Sequence, residues 1–361
     1  MHARAGQCLG ETLAANAPAA TLPLTSPDLV LPSSPEMLPA RDRLTLCFAH
    51  GAYRMAERFA LRDTGIAHIE VRSADELARR LPEADVLVVS MLWKNELAGI
   101  AGKLKFIQSI SAGTDQYDKA LLRERGIRLA SAAGVNAQAV AEHAMALMLA
   151  LARRLPEARD NQAARRWRGM ISEIAAREDQ LAGKTLLVVG MGRIGTRLAR
   201  LAKAFDMRVI ATRRDPAAAA GADANADAVY GDDRLRELLG QADVVALTCP
   251  LTPETENLID AAALAAMKPT AHLVNVARGR VVDEPALIEA LRQWRIAAAG
   301  LDVAREEPLP AASPLWTLPN VLITPHTAGE TRAYEDAVID ILLDNLDRLW
   351  RGVSELRNQV V

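Results

Sequence analysis

The sequence predicts an α/β protein of two doubly wound parallel-sheet domains with a cleft between them. Three observations carry that expectation. Short apolar runs alternate with amphipathic stretches from Leu44 onward, the pattern of parallel βαβ units. A second series of the same kind starts at Lys184, after a long apolar stretch. A chain of 361 residues is also long for a single hydrophobic core.

Residues 44–48 and 67–71 read as strands, and Ser73 with Glu76 three positions on reads as the capped start of a helix. Residues 85–89 form a buried-type strand, and 104–110 another. Residues 136–155 are rich in Ala, Met and Leu nearly all round, which predicts one long buried helix between the two units. The second series continues through strands near 184–190, 209–210, 244–247, 272–276, 297–303 and 320–324. A final amphipathic helix over 331–351 follows its last strand and is expected to return to the first unit. The resulting division is an N-terminal extension over 1–40, a split substrate domain over 41–133 and 327–361, and a nucleotide domain over 134–326. The extension is rich in Ala, Pro, Thr and Ser and lacks the apolar centre of a signal peptide, so disorder is expected there.

Composition narrows the function classes. The formal net charge of −2 argues against a polyanion-binding surface, and the Arg165-Arg166-Trp167-Arg168 cluster reads as a solvated helix face rather than a nucleic-acid site. The three cysteines Cys8, Cys47 and Cys249 show neither disulfide nor metal spacing, so no metal and a reducing, cytoplasmic setting are expected. No run reaches the ~20 apolar residues of a membrane span.

Leu186 to Gly195, LLVVGMGRIG, reads strand, glycine turn, helix. Gly190 makes the tight turn, Gly192 lets backbone approach a pyrophosphate, and Gly195 lets helix pack on strand. The backbone of Arg193 and Ile194 opens the helix, whose N-terminus favours phosphate. This is a Rossmann-like dinucleotide site. The following strand should end in an acid that holds the adenosine ribose. It ends instead in Thr212, Arg213 and Arg214, a hydroxyl and two guanidiniums suited to a 2′-phosphate. NADP is therefore expected in preference to NAD, with NAD the alternative if both arginines face solvent and Asp215 takes the ribose from a slipped position.

Three further stretches each begin where a strand should end: NVARGRVVDE from Asn275, LDVAREEP from Leu301, and TPHTAG from Thr324. Ligands bind off those ends in an open parallel sheet. Arg278, Glu307 and His326 can then converge on one substrate. Blander readings exist for each: an ion pair of Arg278 with Asp283 or Glu284, a turn cap at Glu307, a packed ring at His326. Arg280, His50, His68, His143 and His272 read as structural.

From about residue 44 onward the chain resembles the D-isomer-specific 2-hydroxyacid dehydrogenase family. The likeness rests on GMGRIG, CPLTPET from Cys249, NVARGRVVDE, the LDV…EEPLP segment, SPLW from Ser313, and TPHTAG, in that order, with SAGTD from Ser111 similar to the family's substrate loop. The resemblance implies that Arg278 grips the carboxylate and carbonyl of a 2-keto acid and that His326 is the proton donor in reduction. It implies that Glu307 orients His326 and favours imidazolium. Asp302 and the backbone near Ala277 would engage the nicotinamide carboxamide, Pro250 and Thr255 would lie along the cofactor, and Met91, Leu92 and Gly113 would cradle the substrate. A homodimer is implied too, for which the apolar helix from Asn136 offers a surface, although core packing explains its composition equally well. The chain departs from the family at Ala304-Arg305, where an aromatic residue is common. Formate-oxidising relatives carry Gln in place of Glu307, so the hydroxyacid branch, with glyoxylate or hydroxypyruvate as substrate type, is favoured. The alternative is a dinucleotide-sensing regulatory protein on the same scaffold, as the family's corepressors are.

Overall fold

The computed structural model describes residues 38–216 and 225–361. The extension expected over 1–40 lies outside the described residues as far as 37. Packing is already in place at Leu38, which is buried in a core cluster. The carbonyl of Pro39 accepts a hydrogen bond from Trp350 Nε1 at 2.9 Å.

The first sheet holds β1 (Thr45–Ala49), β2 (Ala67–Val71), β3 (Val86–Val89), β4 (Phe106–Ser109) and β5 (Arg128–Ala130), all parallel, in the order β2-β1-β3-β4-β5. Its helices are α1 (Met55–Ala60), α2 (Ala74–Arg80) and α3 (Lys119–Glu124). All four residues of β3 are buried, as a central parallel strand covered on both faces requires. Local chemistry starts the helices. Ser73 Oγ accepts the Glu76 N–H at 3.3 Å to open α2, and Asp118 Oδ1 accepts the N–H groups of Ala120 and Leu121 to open α3.

The helix expected over 136–155 is present but ends at Ala152, and a second helix starts at Leu155. α4 (Ala137–Ala152) stops, Arg154 turns left-handed at φ +50°, and α5 (Leu155–Ala163) begins. Pro156 explains the break, because its ring has no N–H for the helical ladder and collides with the carbonyl four residues back. The Arg165–Arg168 cluster follows α5 in an irregular segment and is not on a helix face.

The second sheet contains β6 (Thr185–Val189), β7 (Arg208–Thr212), β8 (Ala228–Tyr230), β9 (Val244–Leu247), β10 (His272–Asn275), β11 (Ala298–Leu301) and β12 (Val321–Ile323). All are parallel, in the order β12-β11-β10-β9-β6-β7-β8. The strand order reverses between β6 and β9, which places the topological switch point at the carboxyl end of β6. Helices α6 (Arg193–Ala204), α7 (Leu235–Leu239), α8 (Ala261–Ala266) and α9 (Glu284–Arg292) connect the strands. The apolar face of α4 is spent here: Val140, Ala144, Leu147 and Met148 share a core with Leu186, Val188, Leu198 and Val274. Gly300 in β11 admits the close approach, since a Cβ there would meet Leu147 Cβ at 3.1 Å.

The last helix, α10 (Tyr334–Trp350), returns to the first sheet. Its Val338, Ile339, Leu342 and Leu346 share a core with Phe48, Phe59 and Phe106. Asn345, fully buried, fastens the contact by donating to Gln108 Oε1 on β4 at 3.0 Å. The chain from Asn358 to Val361 then pairs along β5, whose edge it covers. No described helix is long and apolar enough to cross a membrane.

Candidate active site

The glycine turn sits at the switch point, where the end of β6 meets the loop after β9. Gly190 stands at φ +98°, and a Cβ on it would lie 2.7 Å from both Cys249 N and Cys249 Cα. A Cβ on Gly195 would lie 2.6 Å from the Gly190 carbonyl, so only glycine lets α6 start this close to the strand. Gly192 differs, because nothing lies within 4 Å of where its Cβ would be. It forms the open cap of α6, with no side chain capping the helix. Thr196 makes the first intrahelical bond to Gly192. The N–H groups of Arg193, Ile194 and Gly195 are therefore left to face a ligand, which is the donor set a pyrophosphate requires. The fold and this donor set fit a dinucleotide.

The Arg193 side chain goes elsewhere. Its Nη1 donates to the Ala133 carbonyl and, at 3.1 Å, to Asn358 Oδ1. Only its backbone faces the cofactor side. Thr212 requires a correction as well. Its carbonyl accepts the N–H groups of Gly190 and Met191 at 3.1 and 3.0 Å, which holds the glycine turn against the end of β7. Its hydroxyl is wholly buried and has no hydrogen-bond partner, so it does not present an oxygen to a phosphate. Arg214 lines an open pocket with Tyr230, Asp232, Arg234 and Glu254. Arg213 follows β7 directly, and its N–H donates to the Tyr230 carbonyl at 2.9 Å. In the CPLTPET loop the Thr255 hydroxyl donates to the Pro250 carbonyl at 2.7 Å and accepts the Thr252 N–H at 2.8 Å, so its side chain shapes the loop.

Arg278, Glu307 and His326 follow β10, β11 and β12, which are neighbours in the sheet. His326 Nδ1 meets Glu307 Oε2 at 2.7 Å, and the other Glu307 oxygen accepts the Ala304 N–H at 3.0 Å. Burial pushes the Glu307 carboxyl upward, but the bonds from His326 and Ala304, with the charges of His326 and Arg278, hold it below the usual carboxylate range. The readings of Glu307 as a mere turn cap and His326 as a packed ring do not describe this pair. Arg278 has its Nη1 on the Ala277 carbonyl at 2.8 Å and its Nε 3.4 Å from Asp115 Oδ2. Neither Asp283 nor Glu284 takes it. Asp283 caps α9 through the Ala286 N–H, and Glu284 accepts the Arg305 N–H. Arg278 reaches across the cleft to the first domain, where a Cβ on Gly113 would sit 1.9 Å from its Nη2. Arg280 pairs with Glu256 at 2.7 Å, away from this cluster.

Asp302 has its carboxylate engaged within the protein. It is 2% exposed and accepts the Thr324 hydroxyl at 2.6 Å, the Thr327 N–H at 3.0 Å and the Ala328 N–H at 3.1 Å. Its carbonyl takes the His326 N–H at 2.7 Å. It is the anchor of the turn that carries His326. His143 on α4, read as structural from sequence, extends this network by contacting Thr324 Oγ1 at 2.9 Å. Asp115 is the residue the sequence reading missed. It stands two positions after Gly113, in a loop already singled out, and only the fold brings it to Arg278. On the substrate side Met91 is 83% exposed. Leu92 is partly buried, and Ser90 Oγ meets Ser111 Oγ at 2.5 Å, tying the two substrate loops together. Among the described residues no cluster of three or more metal-ligating side chains occurs.

The depressed Glu307 carboxyl makes a prediction with a definite sign. Its stabilising bonds are fully present above the ordinary carboxylate range and vanish as pH falls through its lowered value. Glu307→Gln should cost at most about 1 kcal/mol near pH 6, because both partners are more than a third exposed. Urea titrations of both proteins should converge as pH is lowered, and a constant difference would contradict an ionised Glu307.

Residues 145–328, about half of the chain, match the family model for the D-isomer specific 2-hydroxyacid dehydrogenase NAD binding domain. The chain is 37% identical over 306 residues to a D-3-phosphoglycerate dehydrogenase of Methanocaldococcus jannaschii, covering 82% of this chain and 56% of that one. It thus spans only about half the length of the phosphoglycerate dehydrogenases it matches. It is also 37% identical over 307 residues to the glyoxylate/hydroxypyruvate reductase B of Citrobacter koseri, covering 84% of this chain and 92% of the relative. Among solved structures, the NADPH-dependent glyoxylate/hydroxypyruvate reductase of Sinorhizobium meliloti, in complex with NADP and malonate, superposes with a TM-score of 0.73 at 28% identity, covering 88% of this chain and 97% of that one. Two parallel sheets, the glycine turn at the switch point of the second and these likenesses agree: the chain belongs to the D-isomer-specific 2-hydroxyacid dehydrogenase family.

Proposed function

We propose that this protein reduces small 2-keto acids of the glyoxylate or hydroxypyruvate type to D-2-hydroxy acids, using NADPH in preference to NADH. The observation that carries the reading is the 2.7 Å contact of His326 Nδ1 with Glu307 Oε2, made at neighbouring strand ends with Arg278 alongside. Bound along the α6 N-terminus, the dinucleotide supplies the hydride. Arg278 binds the substrate carboxylate and polarises the carbonyl. His326 gives its Nε2 proton to the carbonyl oxygen as that oxygen becomes a hydroxyl. Glu307 holds the opposite ring nitrogen and so aims the donor. Ala277 and the Pro250–Thr255 loop shape the nucleotide side, and Met91, Leu92 and Gly113 close the substrate side. An exposed Met91 suits a small neutral side chain better than a phosphate, and the near-complete span of the Citrobacter reductase supports the same choice.

A paired assay of NADPH and NADH oxidation with glyoxylate, hydroxypyruvate and a branched 2-keto acid tests this. Turnover with one of these acids and NADPH is expected, and His326→Ala should lower kcat by a factor of ~10²–10⁴. Tight cofactor binding with no turnover would overturn the reading in favour of a dinucleotide sensor. NADPH preference is assigned to Arg213 and Arg214 at the end of β7, as supported by the NADP carried by the Sinorhizobium relative. Arg213→Asp combined with Arg214→Ala should move the preference toward NADH, and an unchanged ratio of kcat/KM values would remove the 2′-phosphate contact.

A homodimer belongs to the same proposal; the apolar face of the helix from Asn136 is packed inside the fold. Trp167 at 99% and Met170 at 100% exposure mark the segment after α5 instead. Trp167→Glu is expected to give a monomer in sedimentation velocity where the wild-type protein sediments as a dimer. A dimer that survives the change would exclude this segment.

A further inference from the structure

Arg278 has two edges able to receive a carboxylate as a pair of parallel hydrogen bonds. One is the end-on edge between Nη1 and Nη2, and the other is the side-on edge between Nε and Nη2. The Nη1 atom is already engaged with the Ala277 carbonyl at 2.8 Å. The side-on edge carries Asp115, whose Oδ2 lies 3.4 Å from Nε. Gly113 sits against the third nitrogen, Nη2, and a Cβ there would also lie 3.2 Å from Asp115 Oδ2. Guanidinium, glycine backbone and carboxylate are thus in one compact group, with Arg278 and Asp115 side chains 34% and 48% exposed. The ion pair crosses the cleft, because Arg278 follows β10 in the second sheet and Asp115 follows β4 in the first.

We propose that Asp115 is an affinity-setting residue, whose carboxylate holds the side-on edge of Arg278 and competes for it with the carboxylate of the substrate. The inference rests on the 2-keto acid reading of the site and goes further by naming a residue that opposes substrate binding. A substrate that takes the side-on edge must displace Asp115. One that takes the end-on edge binds in its negative field. Asp115 raises KM in both cases. It donates no proton and touches no reacting carbonyl, so kcat does not depend on it. The pair is half exposed and water screens it, so the effect is modest: removing the charge tightens binding about two- to fivefold.

The test compares wild-type protein with Asp115→Asn and Asp115→Ala, all saturated with NADP(H). In steady-state reduction of glyoxylate, both variants should show KM lowered two- to fivefold with kcat within about twofold. In calorimetry, oxalate, a dianion with no carbonyl carbon to reduce, should bind more tightly by a similar factor. An unchanged or raised KM, or unchanged oxalate affinity in a variant that melts cooperatively, overturns the proposal. If the wild-type protein turns over no 2-keto acid, the reductase reading fails by itself. The oxalate titration still decides whether Asp115 opposes anion binding at Arg278.

Discussion

The arrangement of the site hangs on one buried carboxylate. Asp302, at the end of β11, receives a hydroxyl and two backbone N–H groups on its side chain and the His326 N–H on its carbonyl. Burying a polar group is costly unless it is hydrogen-bonded. The need to satisfy this one folds the chain after β12 into a single conformation. That conformation includes His326 at φ +56°, a left-handed backbone that an ordinary side chain adopts only when its surroundings dictate it. The ring is thereby delivered to Glu307, and the pair to Arg278.

The two parallel sheets place this group without further instruction. Every strand of the second sheet points its carboxyl end to the same side, so residues distant in sequence arrive together at the ends of β10, β11 and β12. The reversal of strand order between β6 and β9 opens the crevice in which the glycine turn lies. The cofactor end and the substrate end of the cleft are therefore products of one topology.

Much of this was legible in the sequence, for physical reasons. Buried parallel strands are nearly all apolar, so LLVV before Gly190 and VVAL from Val244 announce themselves. Glycines 190 and 195 are forced by atoms less than 3 Å away, which makes the motif a steric statement. What was hidden lacked a local signal. β5 and β8 are three residues each, Arg-Leu-Ala and Ala-Val-Tyr, too short to stand out from their surroundings. The helix over 136–155 was drawn three residues past its end at Ala152, because Leu155 continues the apolar composition and Pro156, which stops the helix, lies just beyond it. Thr212 was given a ligand contact on its chemistry alone. Burial, a property of the assembled fold, turned its hydroxyl inward.

Arg193 carries a consequence for motion. Its backbone opens the helix at the glycine turn, while its guanidinium clasps the carbonyl of Ala133 and the side chain of Asn358, where the chain crosses from the first sheet toward α4. The glycine turn and the segment between β5 and α4 are thereby tied together. Any swing of one sheet relative to the other about residues 131–136 must carry the glycine turn along or surrender both bonds. The residue beside the pyrophosphate donors thus works as a strut between the glycine turn and the segment that leads from the first sheet into α4.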